Sequence, residues 1–427
     1  MLIQNGKVVL FKENDVKVEE VDIQIEGNKI TKIANKIKPR DNKEYIIDAT
    51  NKVVMPGMIN THAHIAMSIF RGTFEDCNLY TWLHEKIWPI EDKLTKQQIY
   101  EASLLSSLEM ITTGTTCVND QYFMPEETRK ALKEAKMRAF LTRPLMDTDN
   151  QEDLQKRIQE FIEFYETRDP NDTLIQYTVA PHGLYTCSDK CLEEARKLAE
   201  KYHLPIHVHY LESIDEIEDI KKLHGKEAIE VLKEHFNNVH SILAHGVKLQ
   251  EKDIEILKTM DCGIAHNPVS NLRLGCKIAD VTKYLKEGIN VALGTDGQGS
   301  GNNLDMFEAM KTACLLQGGI HENEERINSK DAIRMATING AKLLGIENQV
   351  GSIEEGKIAD IILVDISPSI ENITMIPNND VISNLVYNTS GRNVDTTIID
   401  GEILMENRKI KHMKVDEIVN KFSKNMI

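Results

Sequence analysis

The chain has 427 residues, of which 41% are hydrophobic and 28% are charged, and its formal net charge is −16. This length is sufficient for a large core and for more than one domain. The negative charge repels a phosphate backbone, which excludes nucleic acid as an expected partner. No apolar run approaches the length that spans a membrane, so we also expect no membrane association.

The cysteines and the N-terminus indicate the cellular compartment of the protein. Seven cysteines are scattered along the chain without a CxxC pair, a pattern typical of reduced thiols rather than of disulfides or a thiolate metal site. Residues 1–7 lack the basic region and the long apolar segment of a signal peptide. We therefore expect a cytoplasmic protein.

The first 55 residues contain three short strand-like segments, at 7–11, 21–25 and 29–33. So few strands cannot form a stable sheet with a buried face by themselves. We expect them to combine with strands from elsewhere in the chain.

Between residues 56 and 345, short apolar runs alternate with amphipathic stretches. In residues 188–202 the apolar side chains recur at helical spacing, and Ser188 precedes them as a helix N-cap. Similar helices are predicted at 99–113, 127–137, 153–167, 226–236, 252–260, 278–287, 304–316 and 329–344, and strands at 57–64, 115–120, 138–145, 174–182, 205–211, 240–246, 262–269 and 289–296.

This alternation is typical of parallel strands joined by helical crossovers. About eight strands favour a closed barrel over an open doubly wound sheet. No glycine-rich phosphate loop follows the first strand, which argues against a dinucleotide-binding sheet. We therefore predict an α/β fold with a TIM-like (β/α)8 barrel over residues 56–345.

The C-terminal part returns to short strands, at 361–364, 397–399 and 403–405, with a hairpin turn at Asp400-Gly401. Like the N-terminal strands, they are too few to form a sheet alone. We predict that residues 1–55 and 346–427 combine into one small β-sandwich domain beside the barrel.

His62 and His64 belong to the segment 60–64, which directly follows the strand-like run at 53–59. Residues at positions i and i+2 of a strand point to the same face. Both imidazoles can therefore converge on one metal ion, and imidazole suits zinc or iron. Alone, such a pair is a weak indication of a metal site.

Further polar residues stand where later apolar runs end. His209 is followed by Glu212, His245 ends the run at 241–245, and Asp296 follows the run at 290–294. Catalytic groups of a barrel gather at the carboxyl ends of its strands, so these residues predict one site. His207 shares the face of His209, and strand alternation alone leaves either histidine as a metal ligand.

Together these motifs resemble the amidohydrolase superfamily in its mononuclear deaminase branch. The resemblance covers essentially the whole chain and is carried by residues 56–64, His209-x-x-Glu212, Ala244-His245-Gly246 and Gly294-Thr295-Asp296-Gly297. The segments at 68–72, 82–92, 141–143, 180–185 and 266–272 are similar to the family of 5′-methylthioadenosine/S-adenosylhomocysteine deaminases.

The resemblance implies that His62, His64, His209 and Asp296 bind one divalent metal ion per subunit, with Zn2+ expected and Fe2+ as the alternative. Such a ligand set leaves a position for water, whose pKa a bound metal ion lowers to ~7. The HxxE spacing favours His209 over His207 as the ligand, which leaves His207 as a packed barrel histidine.

The resemblance also implies catalytic roles. Glu212 protonates the ring nitrogen beside the attacked carbon, His245 orients the hydroxide, and Asp296 accepts a proton from the water. The alternatives are a solvent-facing loop carboxylate for Glu212 and a core histidine for His245. Residues 174–179, in the predicted fourth strand, contain no lysine. The carbamylated lysine that bridges two metals in hydantoinases is therefore absent, which favours one metal and deamination.

The substrate residues are implied by the resemblance alone. Glu91 holds the ribose hydroxyls, His182 contacts the purine, and Trp82 lines the pocket for the 5′ substituent. Arg143 is the candidate for the homocysteine carboxylate, with a structural ion pair as the alternative. Relatives often have a second arginine downstream, whereas Arg157 falls on a helix at a shifted position. This departure favours methylthioadenosine or adenosine over S-adenosylhomocysteine.

The predicted function is hydrolytic deamination of adenosine-type nucleosides to the inosine analogue and ammonia. The alternatives are another mononuclear amidohydrolase, such as guanine deaminase or a triazine or pterin aminohydrolase, and a catalytically inactive scaffold. The expected partner is a small-molecule nucleoside. A homo-oligomer is possible from the sequence, which does not determine the oligomeric state. Residues 297–301, rich in glycine, are expected to be mobile.

Overall fold

The computed structural model describes residues 1–12, 15–73, 77–148, 151–322, 325–369, 372 and 379–425, with residues 151–153 described by their backbone only. At its centre is a ring of eight strands: Met58–Ala63, Thr115–Gln121, Arg138–Thr142, Ile175–Tyr177, Ile206–Tyr210, Ser241–His245, Cys262–His266 and Asn290–Leu293. These are called the first to eighth barrel strands below.

The barrel strands pair in parallel and in chain order, the first to the fourth and the fifth to the eighth. A parallel bridge between Val179 and Ile206 joins the fourth strand to the fifth. The Thr61 hydroxyl donates to the Leu293 carbonyl at 2.9 Å, which joins the first strand to the eighth. The sheet is therefore closed, and the predicted (β/α)8 barrel is confirmed.

Helices surround the barrel, and their ends follow the signals in the sequence. The Ser188 hydroxyl accepts from the Cys191 N–H at 3.2 Å, as expected of an N-cap. None of the described helices is both long and apolar enough to cross a lipid bilayer. The α-helices are Leu79–Thr81, Trp88–Glu91, Lys96–Thr113, Pro125–Ala135, Gln151–Glu166, Asp189–Tyr202, Ile214–His224, Ala228–Phe236, Glu251–Leu257, Pro268–Arg273, Val281–Lys286, Gln298–Gly301, Met306–Ile320, Ser329–Ala336, Ile338–Leu343, Val381–Tyr387 and Val415–Asn425.

The single helix predicted at 329–344 is wrong, because the structure has two helices separated at Thr337. The φ and ψ angles of Thr337 are −133° and −93°, which lie outside the helical region. Its hydroxyl donates to the Ile333 carbonyl at 2.6 Å. This bond occupies a helical carbonyl and gives the chain a local alternative to the next turn.

The third and fourth barrel strands, each predicted as continuous, are also interrupted. After them the chain forms a separate short parallel pair, Pro144–Leu145 with Ala180–Pro181. Proline has no N–H group for the sheet, so regular pairing is interrupted at Pro144 and Pro181. Arg143 lies in the first interruption and His182 follows the second short strand, which brings both residues to the barrel mouth.

The two ends of the chain form the predicted small β-domain. Its larger sheet pairs the N-terminal strand Lys52–Pro56 with the C-terminal strand Ile361–Asp365. The boundaries at residues 55/56 and 345/346 stay a prediction. The larger sheet contains Lys7–Lys12, Asp15–Glu20, Lys52–Pro56, Ile361–Asp365, Val394–Ile399, Glu402–Glu406 and Lys409–Ile410, and the smaller one contains Leu2–Gln4, Asp22–Glu26, Lys29–Ala34 and Ile46–Asp48.

A buried ion pair fastens this domain to the barrel. Arg138 on the third barrel strand is fully buried. Its guanidinium donates to both carboxylate oxygens of Asp360, at 2.7 and 3.2 Å. The Asp400 N–H, in the predicted hairpin turn, also donates to Asp360 at 2.8 Å. Asp360 therefore links the third strand to the C-terminal hairpin.

Asp360→Ala is expected to lower the free energy of unfolding by about 3 kcal/mol, because it leaves the Arg138 guanidinium buried without its carboxylate. Urea unfolding followed by fluorescence measures the loss. Glu287→Ala, which removes the exposed partner of Lys258, is the control and should stay near the wild-type value. Equal losses in both variants would show that the buried pair has no special role.

Candidate active site

The predicted site residues meet at the carboxyl ends of the barrel strands. His62 lies on the first strand, His209 on the fifth, and His245 ends the sixth, while His64 and Asp296 follow the first and eighth strands. His245 and Asp296 have positive φ angles of 78° and 61°, which are unfavourable for residues other than glycine. Such strain is typical of functional sites.

Two histidines are held by their Nδ1 atoms and turn their Nε2 atoms toward each other. The His64 Nδ1–H donates to the Gln121 carbonyl at 2.6 Å, and the His209 Nδ1–H donates to the His182 carbonyl at 2.5 Å. Because a carbonyl can only accept, each Nε2 atom keeps a lone pair for a metal ion. The two Nε2 atoms lie 3.3 Å apart.

His207 lies behind this cluster. Its Nε2 atom lies 2.8 Å from the Nδ1 atom of His62, and its ring is fully buried. His62 can therefore turn its own Nε2 atom toward His64 and His209 while His207 holds its other nitrogen. This arrangement favours His209 as the ligand and gives His207 a supporting position.

Asp296 presents one carboxylate oxygen to the histidines. Its Oδ1 atom lies 3.5 Å from His62 Nε2 and 3.2 Å from His64 Nε2. Its Oδ2 atom accepts from the hydroxyls of Ser270 and Ser300 at 2.5 and 2.7 Å. Burial favours a higher pKa, but the adjacent imidazoles of His62 and His64 hold the pKa of Asp296 well below its ordinary value. The side chain is therefore an ionised carboxylate.

The donor set fits a divalent metal ion. The ligand atoms of His62, His64 and Asp296 lie within 4.8 Å of one another, as do those of His62, His209 and His245. Among the described residues, His62 Nε2 is buried and has no hydrogen-bond partner. A metal ion would satisfy this atom, and imidazole with carboxylate is a ligand set that zinc and iron both accept.

Glu212 and His245 face each other beside the cluster, with Glu212 Oε1 at 3.4 Å from His245 Nδ1. Burial, together with the charge of Asp296, raises the pKa of Glu212 well above its ordinary value. The protonated form of Glu212 is therefore favoured relative to that of an ordinary glutamate. Burial lowers the pKa of His245 to about 3, so that its imidazole is neutral. The pair combines a proton donor with a neutral hydrogen-bonding group.

A cavity opens above these groups. Trp82 and His182 both line it, where the sequence predicts substrate contacts. Trp82 begins a π-helix, Trp82–Ile87, a rare element that is frequent at functional sites. The rest of the wall is largely apolar and includes Met67, Leu79, Leu83, Ile87, Trp88, Phe123 and Tyr185.

Glu91 lies on the cavity wall and is held by Tyr122. The Tyr122 hydroxyl donates to Glu91 Oε1 at 2.5 Å. Burial raises the pKa of Glu91 to about 7, although the bond from Tyr122 lowers it. The carboxylate keeps acceptor capacity for hydroxyl groups of a ligand.

A second, more polar cavity adjoins the first, and Glu91 and Phe123 line both. Arg143 and Arg157 lie on its wall, together with Lys96, Lys156, Asp92, Glu126 and Glu160. The Arg143 Nε–H donates to Glu160 at 2.9 Å. This is a structural ion pair, the role that the sequence offered as the alternative to binding a homocysteine carboxylate. Arg157 lies on the helix Gln151–Glu166, as predicted, and nevertheless reaches the same cavity.

The prediction of a mobile segment at 297–301 is wrong. Gln298–Gly301 forms a buried helical turn, from which Ser300 donates to Asp296. A Cβ atom at Gly297 would lie 2.5 Å from Met67 Sδ. A side chain here would require Met67 to move, so glycine permits close packing against that residue.

Sequence reasoning missed the groups that hold the predicted residues in place: Tyr122, Ser270, Asn271 and Ser300. Ser270 and Asn271 belong to the motif at 266–272, which carried the resemblance but received no role. Polar side chains directly after a barrel strand could have identified these two residues as part of the site. Tyr122 gave no comparable signal, because its partner Glu91 is 31 residues away in the sequence. Ser300 lies only four residues from its partner Asp296, within the segment that was interpreted as a mobile glycine-rich loop.

Comparison with known proteins gives full-length matches. The profile of the amidohydrolase family matches residues 53–404. A 5-methylthioadenosine/S-adenosylhomocysteine deaminase of Thermoanaerobacter pseudethanolicus is 39% identical over 432 residues, or 100% of this chain and 99% of that protein. A 5′-deoxyadenosine deaminase of Methanocaldococcus jannaschii is 40% identical over 415 residues, 96% of each. The crystal structure of a zinc-bound adenosine deaminase from Xanthomonas campestris has a TM-score of 0.91 at 28% identity, covering 99% of this chain and 97% of that one.

Proposed function

Because this chain belongs to the amidohydrolase family, we propose that it hydrolyses the 6-amino group of adenosine-type nucleosides and releases ammonia. The relatives that match along its full length are named as deaminases of adenosyl compounds. The observation that carries the proposal is a single cavity lined by His64, His209, Asp296, Glu212 and Glu91. It combines metal-binding side chains, a proton donor and an acceptor for sugar hydroxyls.

His62, His64, His209 and Asp296 would hold one divalent metal ion per subunit, with zinc as our first choice. A bound ion of this kind supplies a water molecule acidic enough to serve as the nucleophile. The buried His62 Nε2 atom, which lacks a partner in the described chain, supports this set. Iron(II) accepts the same donors, so metal analysis of the purified protein decides between them.

The protein's own side chains move the protons. Ionised Asp296 accepts a proton from the attacking water, and Glu212 gives its proton to the ring nitrogen beside the attacked carbon. Asp296 then passes its proton to the amino group, which leaves as ammonia. Glu212 recovers a proton from the new hydroxyl group as the carbonyl forms. His245, which stays neutral, orients the oxygen throughout.

The Glu91 carboxylate favours a nucleoside over a free base, because it can accept hydrogen bonds from the two ribose hydroxyls. Tyr122 fixes one of its oxygens. We propose that His182 contacts the purine and that Trp82 lines the path of the 5′ substituent. A free base such as guanine has no group for Glu91 to bind.

The polar outer cavity would receive the 5′ substituent, because it begins at Glu91. Arg143 is already paired with Glu160, so a homocysteine carboxylate has to displace Glu160 from it. Arg157 lines the same cavity and would add a second positive charge. Substrates with an uncharged hydroxyl, hydrogen or methylthio group at the 5′ position do not have to displace Glu160. We expect the enzyme to prefer them.

Ammonia release tests the proposal. The zinc-loaded protein is given adenosine, 5′-deoxyadenosine, methylthioadenosine, S-adenosylhomocysteine and guanine in parallel. We expect turnover of the adenosyl compounds, with S-adenosylhomocysteine the slowest, and none of guanine. Turnover of guanine alone would be consistent with the proposed metal site and would overturn the proposed substrate class.

The pH dependence of KM tests Glu91 separately. With a pKa of about 7, Glu91 gains its charge as the pH rises from 6 to 8, and the charged form binds hydroxyls more strongly. KM for adenosine should therefore be about tenfold higher at pH 6 than at pH 8. Tyr122→Phe removes a bond that lowers this pKa, so the fall in KM should move to higher pH.

Glu91→Gln is the control for this experiment, because its amide does not ionise. We expect its KM to be raised and to change little between pH 6 and pH 8. The same tenfold change in Glu91→Gln would assign the titration to another group.

A further inference from the structure

A short, partly buried helix, Pro268–Arg273, reaches three of the catalytic groups. Its Ser270 hydroxyl donates to Asp296 at 2.5 Å. The next residue, Asn271, contacts His245 and Glu212 and has no part in the reaction described above. Asn271 is 1% exposed, so its amide is available only to groups inside the site.

The Asn271 amide nitrogen lies 2.8 Å from His245 Nδ1 and 3.4 Å from Glu212 Oε1. This nitrogen carries two hydrogens, one for each partner, and accepts none. The amide nitrogen of Asn267 approaches the same His245 Nδ1 atom at 3.4 Å and also donates to the Ala265 carbonyl at 3.1 Å. Two donors thus converge on His245 Nδ1, which makes that atom an acceptor.

A neutral imidazole carries one hydrogen, so an accepting Nδ1 places it on Nε2. His245 Nε2 is buried, and no group in the described part of the chain bonds to it. The ring lines the cavity, where an Nε2–H can donate to the oxygen that adds to the purine. A nitrogen that carries hydrogen cannot bind a metal ion, so His245 stays outside the metal set.

We infer that Asn271 is a positioning residue, which fixes His245 in its Nε2–H form and links it to Glu212. The catalytic consequence rests on the proposed function, whereas the position of the hydrogen follows from the contacts alone. Aspartate at this position would offer only acceptors and would draw the hydrogen to Nδ1. Leucine would have a similar size and no polar contact.

Kinetics of Asn271→Asp and Asn271→Leu test the role. In both variants kcat is expected to fall about 10- to 100-fold, while KM and the zinc content stay at the wild-type values. In a His245→Gln background, Asn271→Leu should cause a smaller loss than in the wild-type enzyme, because the two residues act together. Wild-type kcat in Asn271→Asp would show that an acceptor suffices there and would overturn the inference.

Asn339→Leu is the matched control for loss of a buried amide. Asn339 donates to the Val291 carbonyl at 3.0 Å, near the start of the eighth barrel strand. Its removal is expected to lower the thermal midpoint and to leave kcat unchanged. A general loss of packing in Asn271→Leu would instead reproduce the behaviour of this control.

A neutron crystal structure of the zinc-loaded protein tests the hydrogen position without using activity. We expect deuterium on His245 Nε2, none on Nδ1, and the Asn271 amide nitrogen facing Nδ1. Deuterium on Nδ1 would overturn the inference even in an active enzyme. Absence of ammonia release from every nucleoside would overturn the proposed function and leave this observation unaffected.

Discussion

Replacing Glu212 with glutamine is expected to lower kcat by about 10²- to 10⁴-fold. The amide keeps the size of the side chain but has no acidic proton to give to the ring nitrogen. The pKa of Glu212 is raised well above its ordinary value, by burial and by the charge of Asp296. The shift favours the protonated side chain that the proposed reaction requires, whereas the glutamine amide has no such proton.

Steady-state kinetics and metal analysis of the same preparation measure this effect. Glu212 Oε1 lies near Asn271 Nδ2 and Cys276 Sγ, at 3.4 and 3.8 Å, and an uncharged amide of equal size fits there. We expect the zinc content and the thermal midpoint to stay close to the wild-type values. Glu218→Gln, an exposed position on the helix Ile214–His224, is the control and should keep full activity. A Glu212→Gln variant with more than half the wild-type kcat would assign the proton to another donor.

His209→Ala and His207→Ala should separate a metal ligand from its support. His209 turns its Nε2 atom to the cluster, 3.3 Å from that of His64. Its loss is expected to remove the bound metal and to lower kcat more than about 10³-fold, since the activated water goes with the ion. His207 contacts only His62 in the cluster, and His207→Ala should weaken metal affinity by about 10- to 100-fold.

Metal content and chelator competition distinguish the two variants. At saturating zinc, His207→Ala should regain one ion per subunit and most of its activity, whereas His209→Ala should regain neither. Removal of the metal from the wild-type protein should abolish turnover, and added zinc should restore it. The reverse ranking of the two variants would make His207 the ligand and contradict the arrangement of the rings.

The architecture was predictable because its signals are local. Barrel strands such as Ser241–His245 and Asn290–Leu293 contain apolar runs bounded by a helix or a turn, and the count of about eight strands leads to a closed barrel. The prediction failed where a local hydrogen bond overrode the periodicity, as at Thr337, whose hydroxyl bonds to Ile333. The apolar pattern at 329–344 continues across this break, so the pattern alone does not indicate it.

The metal-binding and catalytic residues at the strand ends were predictable for a related reason. His62, His64, His209, His245 and Asp296 each lie at a strand end, and the barrel brings all such ends to one mouth. Their grouping therefore follows from the fold class and the position of each residue along the chain. The sequence determined which side chains carry the proposed chemistry.

Only the tertiary structure decided how those side chains are held. Tyr122 fixes Glu91 across 31 residues of sequence, and Asn271 reaches His245 across 26. The pairing of Arg143 with Glu160 and the burial of the glycine-rich turn after Asp296 are likewise set by packing. A hydrogen bond between distant residues depends on angles and distances that no local pattern records. The sequence by itself therefore determined the chemical groups, and the tertiary structure decided their orientation and protonation.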